Sequence, residues 1–206
     1  NQKNIHIWDG NTSREFLDKR GLTHYQEGDM GETYGFNFRH FGGQYRGCQY
    51  QYDTDCGFDQ LSEVIRLIKE DPESRRIIIN LWNPDGNQRA ALPSCLCMYQ
   101  FYVDTTRREL HLQIYIRSSD YFLANNWNTC TGALLVYMLC NLEGINLTPG
   151  DLTVVTGDTH LYKSHIEQVR ENLARKPFPF PKLVIKETKK DITEFEFEDL
   201  ELVGYK

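Results

Sequence analysis

Apolar positions recur at helical spacing in two stretches of the chain. Over Asp59–Lys69, Leu61, Val64, Ile65 and Ile68 fall at i, i+3, i+4 and i+7, which lines one face of a helix. Asp71-Pro72 ends it, because the residue before a proline is biased away from helical backbone. Over Thr131–Leu142, Leu135, Met138, Leu139 and Leu142 share a face, and Gly144 is placed to take the turn that closes a helix. Elsewhere the period is two. Leu110, Leu112, Ile114 and Ile116 alternate with His111, Gln113, Tyr115 and Arg117, so Glu109–Arg117 reads as a strand with one buried face and one polar face turned to water or to a ligand. Cys95–Val103 reads as its neighbour, joined through Asp104–Arg108, a connection short enough for a hairpin. Ile77-Ile78-Ile79 is a β-branched run and predicts a strand buried on both faces. Asp151–Gly157 predicts a strand, His160–Ala174 a helix ending before Pro177, and Lys182–Lys186 a further strand. Strands outnumber those of a simple βαβ alternation. The expected fold is α/β (α+β), one large mixed sheet with helices packed against it.

Composition narrows the function classes. A chain of 206 residues with 40% hydrophobic, 13% aromatic and 25% charged residues is expected to form a single domain, residues 1–206, with a substantial core. The longest apolar run, Ala133–Leu142, is far short of the roughly 18–20 residues of a membrane helix. Asn1–Trp8 has no basic segment followed by an apolar block, so no export leader is read there and a cytoplasmic location is expected. A net charge of -6 argues against a protein that coats DNA or RNA, which needs a basic face to neutralise phosphates. The six cysteines are read as reduced thiols. Cys95-x-Cys97 lacks the spacing of a zinc knuckle and no histidine pair accompanies it, so no metal is expected.

The chemistry centres on Leu92-Pro93-Ser94-Cys95, which sets a thiol at a strand start after a proline turn. Partial exposure beside cationic groups there favours the nucleophilic thiolate. Alone, such a cysteine is more often a small buried hydrophobe. Its company changes the reading. The order Arg75-Arg76, Leu81-Trp82-Asn83-Pro84, Ala91-Leu92-Pro93-Ser94-Cys95 with Gln100-Phe101-Tyr102-Val103, Arg117-Ser118-Ser119-Asp120 with Asn128, and Gly157-Asp158-Thr159-His160-Leu161-Tyr162 resembles the thymidylate synthases, from Trp8-Asp9 to Gly204-Tyr205.

The resemblance implies reductive methylation of dUMP to dTMP, with 5,10-methylenetetrahydrofolate as donor of carbon and hydride, through a covalent bond from Cys95 to the pyrimidine C6. It implies that Arg117 binds the nucleotide phosphate and lowers the thiol pKa, that Ser118 shares the phosphate, and that Gln100 belongs to the substrate-binding set. Arg75 and Arg76 match a pair that reaches the partner subunit's phosphate, which implies a homodimer formed through the sheet. Asn128 both donates and accepts, as uracil O4 and N3–H require. His160 and Tyr162 match residues holding the deoxyribose 3′-hydroxyl, Asp120 the carboxylate on the folate pterin, Tyr34 a tyrosine of the water network that helps remove the C5 proton, and Trp8 a wall of the folate site. Trp82 and Trp127 are read as packing, and the other cysteines as structural.

The family pattern extends past both ends of this chain, so an incomplete synthase domain is expected, lacking an arginine loop, a general acid/base glutamate and a closing tail; some relatives are fused to dihydrofolate reductase. Leu96 stands where a histidine is usual, Ser94 where proline or alanine is common, and Ala124-Asn125-Asn126 where a Gly-hydrophobic-Pro run is typical. Two other readings stay open: a dUMP hydroxymethylase, in which water captures the exocyclic methylene, and a non-catalytic nucleotide-binding remnant of the same fold.

Overall fold

The computed structural model describes residues 5–206. Residues 1–4, on which part of the leader reading rests, lie outside them. Two compact units form, one from the residues up to Val64 together with Ile78–Met98, the other from Ile65–Ile77 with Tyr99–Lys206.

In the first unit, α1 (Asp9–Thr12) and α2 (Arg14–Lys19) meet at Ser13, whose hydroxyl accepts from the Phe16 N–H at 3.3 Å and caps α2. Leu17 of α2 is fully buried with Leu22, Tyr25 and Ala91. The chain then turns at Gly31, where φ is +77° and a Cβ would stand 2.2 Å from the Arg89 carbonyl oxygen. Only glycine allows this segment so close to Ala90, with which Gly31 forms an isolated antiparallel bridge. Next come α3 (Tyr34–Arg39), α4 (Gln60–Glu70), whose residues from Ile65 on belong to the second unit, and β1 (Ile78–Asn80). The Gln60 side chain fastens them: its amide donates to the Asn37 and Asn80 carbonyls at 2.7 and 2.8 Å, and its oxygen accepts from the Asn80 N–H at 2.9 Å. The isoleucine run does not bury both faces. Ile77 and Ile79 are buried, but Ile78 is 36% exposed, because side chains alternate along an extended strand.

β2 (Leu96–Asp104) starts in the first unit and continues in the second, where it is followed by β3 (Glu109–Asp120), α5 (Ala124–Cys140) and β4 (Thr148–His160). The sheet order is β1-β2-β3-β4. Parallel neighbours need a crossover of a dozen or more residues, so the four residues between β2 and β3 make that pair antiparallel. β3 and β4 are parallel, with α5 as the crossover. The sheet is mixed, with helices packed on it, as the pattern predicts. Leu110, Leu112, Ile114 and Ile116 are all buried at 1% exposure or less, and the alternate side chains of β3 are half-buried or exposed.

The boundaries of α5 depart from expectation. The helix begins at Ala124 and ends at Cys140, its buried stripe is Gly132, Val136 and Leu139, and Asn141 is its C-cap; Gly144 takes a left-handed turn beyond it, at φ +82°. At Gly132 the helix packs on the sheet: a Cβ there would stand in ordinary contact with Leu112 and Leu152 at 3.5 Å. β4 is longer than predicted and ends at His160, which therefore does not start a helix: a 3-10 turn covers Lys163–His165 and α6 runs from Ile166 to Ala174. A separate antiparallel ladder pairs β5 (Lys182–Ile185) with β6 (Leu200–Val203). Among the described residues no helix is long and apolar enough to cross a membrane.

Candidate active site

The nucleophile loop is built in the first unit. A 3-10 turn at Gly86–Arg89 leads through Pro93 to Cys95, which is half-buried directly before β2. Tyr34, the first residue of α3, reaches this loop, and its phenol oxygen accepts from the Cys95 N–H at 2.7 Å. The thiol lies 4.0 Å from the Pro93 carbonyl oxygen. All six cysteines are free thiols.

Burial first, and the charge of the neighbouring Cys95 second, push the Tyr34 phenol up to about 12. The folded state therefore favours the neutral ring. That contribution is intact below the ordinary tyrosine value of about 10 and is lost as pH rises toward 12. In an alkaline titration followed by tyrosinate absorbance, Tyr34→Phe is expected to remove one tyrosine from the late component near pH 12. Removal from the early component near pH 10 would show that the ring is not held in this way.

The residues before Tyr34 also touch the loop. The Thr33 and Ser94 hydroxyls pair at 3.2 Å, both buried. Glu32 is 1% exposed; one carboxylate oxygen accepts from the Asn83 amide at 2.8 Å and the other from Arg89 at 2.8 Å, and Arg89 also pairs with Asp85 at 2.7 Å. Sequence reading passed over Glu32 and Thr33. The signal available was the Glu within Gly31-Glu32-Thr33-Tyr34, an unusual place for a charge if the segment packs closely.

In the second unit, predicted residues gather at the carboxyl ends of the parallel pair. Arg117, Ser118 and Asp120 end β3, and His160 ends β4; Ser118 is in register with Asp158, and Asp120 with His160. Gly157 keeps the strands close at this point, since a Cβ would lie 2.8 Å from the Arg117 carbonyl oxygen. His160 Nδ1 is 3.0 Å from the Asp158 carboxylate, and its ring meets Tyr162 edge to face at 5.2 Å. Asp120 accepts from the Leu123 N–H at 3.4 Å, just before α5 begins. Asn128 is half-buried and opens the second turn of α5. Open α/β sheets bind ligands outside the carboxyl ends of their parallel strands, the position Asp120 and His160 occupy.

Other predicted residues have their own settings within each unit. Arg75 and Gln100 line a groove of about 510 Å³ on the polar sheet face, with Tyr102, Arg107 and His111, and none of the strand-end residues lines it. Arg76 is exposed in the turn before β1. Trp8 precedes α1 in the first unit and is 46% exposed. Trp127, read as packing, is 41% exposed on the first turn of α5. Among the described residues no cluster of three or more His, Cys, Asp or Glu is arranged to hold a metal ion.

A family model described as thymidylate synthase matches residues 1–206. The chain belongs to the thymidylate synthase family. Among its relatives, the maize bifunctional dihydrofolate reductase-thymidylate synthase is 47% identical over 204 residues, covering 99% of this chain and 38% of the relative. The Paramecium tetraurelia protein of the same name is 45% identical, covering 98% and 43%. The Candida albicans thymidylate synthase is 43% identical, covering 99% and 70%. The chain thus spans about two fifths of the length of these bifunctional relatives. The residues at which this chain departs from the expected family pattern have definite places. Leu96 is buried at 1% exposure, Ser94 is the buried partner of Thr33, and Ala124-Asn125-Asn126 forms the first turn of α5, where Asn125 accepts from the Ser119 hydroxyl at 3.3 Å.

Proposed function

We propose that this chain carries out the reductive methylation of dUMP to dTMP, with 5,10-methylenetetrahydrofolate as co-substrate. The observation that carries the reading is the Cys95 loop, a half-buried thiol whose backbone N–H is held by a half-buried, neutral Tyr34 phenol at 2.7 Å, in a chain of this family.

The reaction follows from the chemistry of these groups. The Cys95 thiolate adds to pyrimidine C6, and the electron pair displaced from the C5–C6 bond makes C5 a nucleophile toward the one-carbon unit. Tyr34, kept neutral, serves the water that removes the C5 proton. Loss of that proton with the folate leaving group, then hydride transfer from the folate to the exocyclic carbon, releases Cys95 and yields dTMP and dihydrofolate. Arg117 and Ser118 hold the phosphate, with Arg75 and Arg76 from a second subunit of a homodimer. Asn128 reads the uracil edge, His160 and Tyr162 hold the 3′-hydroxyl, and Asp120 and Trp8 receive the folate. Gln100 lies in the groove with Arg75, a place that suits a supporting role at the subunit interface. The protein works in the cytosol. A reductase fusion in the intact gene product is supported by the bifunctional maize and Paramecium relatives, while the Candida relative carries the synthase name alone.

The test mixes the intact gene product with both substrates and follows dihydrofolate absorbance and product mass. Dihydrofolate and dTMP in equal amounts are expected. A 5-hydroxymethyl product with no dihydrofolate would replace the reading by hydroxymethylation, and nucleotide binding without any Cys95 adduct would reduce the chain to a remnant.

A further inference from the structure

We infer that Glu32 and Thr33 are positioning residues for the Cys95 nucleophile, acting through Tyr34. The inference rests on Cys95 being the nucleophile of the proposed reaction. Three consecutive residues, Glu32, Thr33 and Tyr34, each bind a different point of the Asn83–Cys95 segment. Glu32 takes Asn83 and Arg89, Thr33 takes Ser94, and Tyr34 takes the Cys95 N–H. Two backbone contacts fix the register just before them: the Ala91 N–H donates to the Met30 carbonyl at 2.9 Å, and Gly31 bridges to Ala90.

These are not decorative surface contacts. Glu32, Thr33 and Ser94 are 1%, 7% and 0% exposed. Glu32 is also enclosed from the other side, because a Cβ on Gly86 would stand 2.3 Å from its carboxylate oxygen. A buried carboxylate with two fixed donor groups has one low-energy position, since moving it strands a charge away from water. That position sets where Thr33 and Tyr34 begin α3, and so where the phenol oxygen stands relative to the Cys95 N–H. Small displacements of a reacting group carry large rate penalties. Thr33 and Ser94 add a second rung one residue from the nucleophile.

Amide hydrogen exchange at Cys95 tests the inference, because its N–H is the group the clasp protects. In the intact protein, Thr33→Val and Glu32→Gln are each expected to speed exchange of the Cys95 amide about five- to tenfold, the size of one lost hydrogen bond. The Leu17 amide, bonded to the Ser13 carbonyl in the same unit, should keep its wild-type protection. Thr33→Ser, which retains the hydroxyl, should restore Cys95 protection. In turnover, kcat should fall while KM for dUMP stays within about twofold, the signature of misplacing the reacting group rather than losing substrate binding. Ser94→Ala reads the same rung from its other side should Thr33→Val fail to fold. Unchanged Cys95 exchange in the variants that fold would overturn the inference, as would equal acceleration at Leu17. The exchange measurement needs no turnover, so a protein that makes no dTMP would end the proposed reaction while still deciding the role of the clasp.

Discussion

Cys95→Ser is expected to lower dTMP formation by about 10⁴-fold or more while leaving the fold and nucleotide binding nearly unchanged. The chemical half of this expectation is that a serine hydroxyl, lacking a strong base at hand, holds its proton far above neutral pH and does not add to a weakly electrophilic C6. The structural half comes from how the loop is held. Tyr34 binds the backbone N–H of residue 95 and not its side chain, so the substitution leaves that contact in place. Cys95 is only half-buried, and exchanging sulfur for oxygen opens no cavity of consequence. The urea midpoint should therefore stay at the wild-type value, and the dUMP dissociation constant within a few-fold. Measured together, single-turnover rate, binding and denaturation separate a lost nucleophile from a lost fold. A serine variant with more than a tenth of wild-type turnover would remove Cys95 from the covalent step.

How much of this was readable beforehand differs element by element. β3 was legible because one face is fully buried and the other is not, so period two is written directly into Leu110–Arg117. The first turns of α5 were not. Asn125-Asn126-Trp127-Asn128-Thr129-Cys130 has no apolar period, and the turns are stabilised instead by side chains bonding back to the helix: the Asn126 amide to the Phe122 carbonyl at 2.9 Å, and the Thr129 and Thr131 hydroxyls to Asn125 and Trp127 at 2.8 Å. His160 was misplaced at a helix start because β4 keeps its ladder with β3 through Gly157, a residue that in isolation reads as a break. The strand-end residues Arg117, Asp120 and His160 were singled out by residue order alone, and the parallel register then explains why they share one end of the sheet. Glu32 was missed because its burial depends on Arg89 and Asn83, more than fifty positions downstream, and local pattern contains no trace of such a partner.

Asn128→Asp should exchange the preferred base, shifting the ratio of kcat/KM for dUMP over dCMP by roughly 10³ toward the cytosine nucleotide. Uracil offers an acceptor at O4 and a donor at N3, and an amide satisfies both. Cytosine offers an amino donor at position 4 and an unprotonated N3, the reverse order, so an amide held in the uracil-reading orientation meets both groups with the wrong polarity. A carboxylate accepts from the amino group but faces uracil O4 with like polarity, and each mispaired polar group withdrawn from water costs about 1–3 kcal/mol. Two reversed preferences together give the stated shift. The fold is expected to tolerate the change, because asparagine and aspartate have nearly the same shape and residue 128 is only half-buried, with water at hand for the added charge. Competition between the two nucleotides, read by the masses of their methylated products, decides the matter. An unchanged ratio in a well-folded variant would mean that Asn128 does not read the base, and that its half-buried amide serves the helix instead.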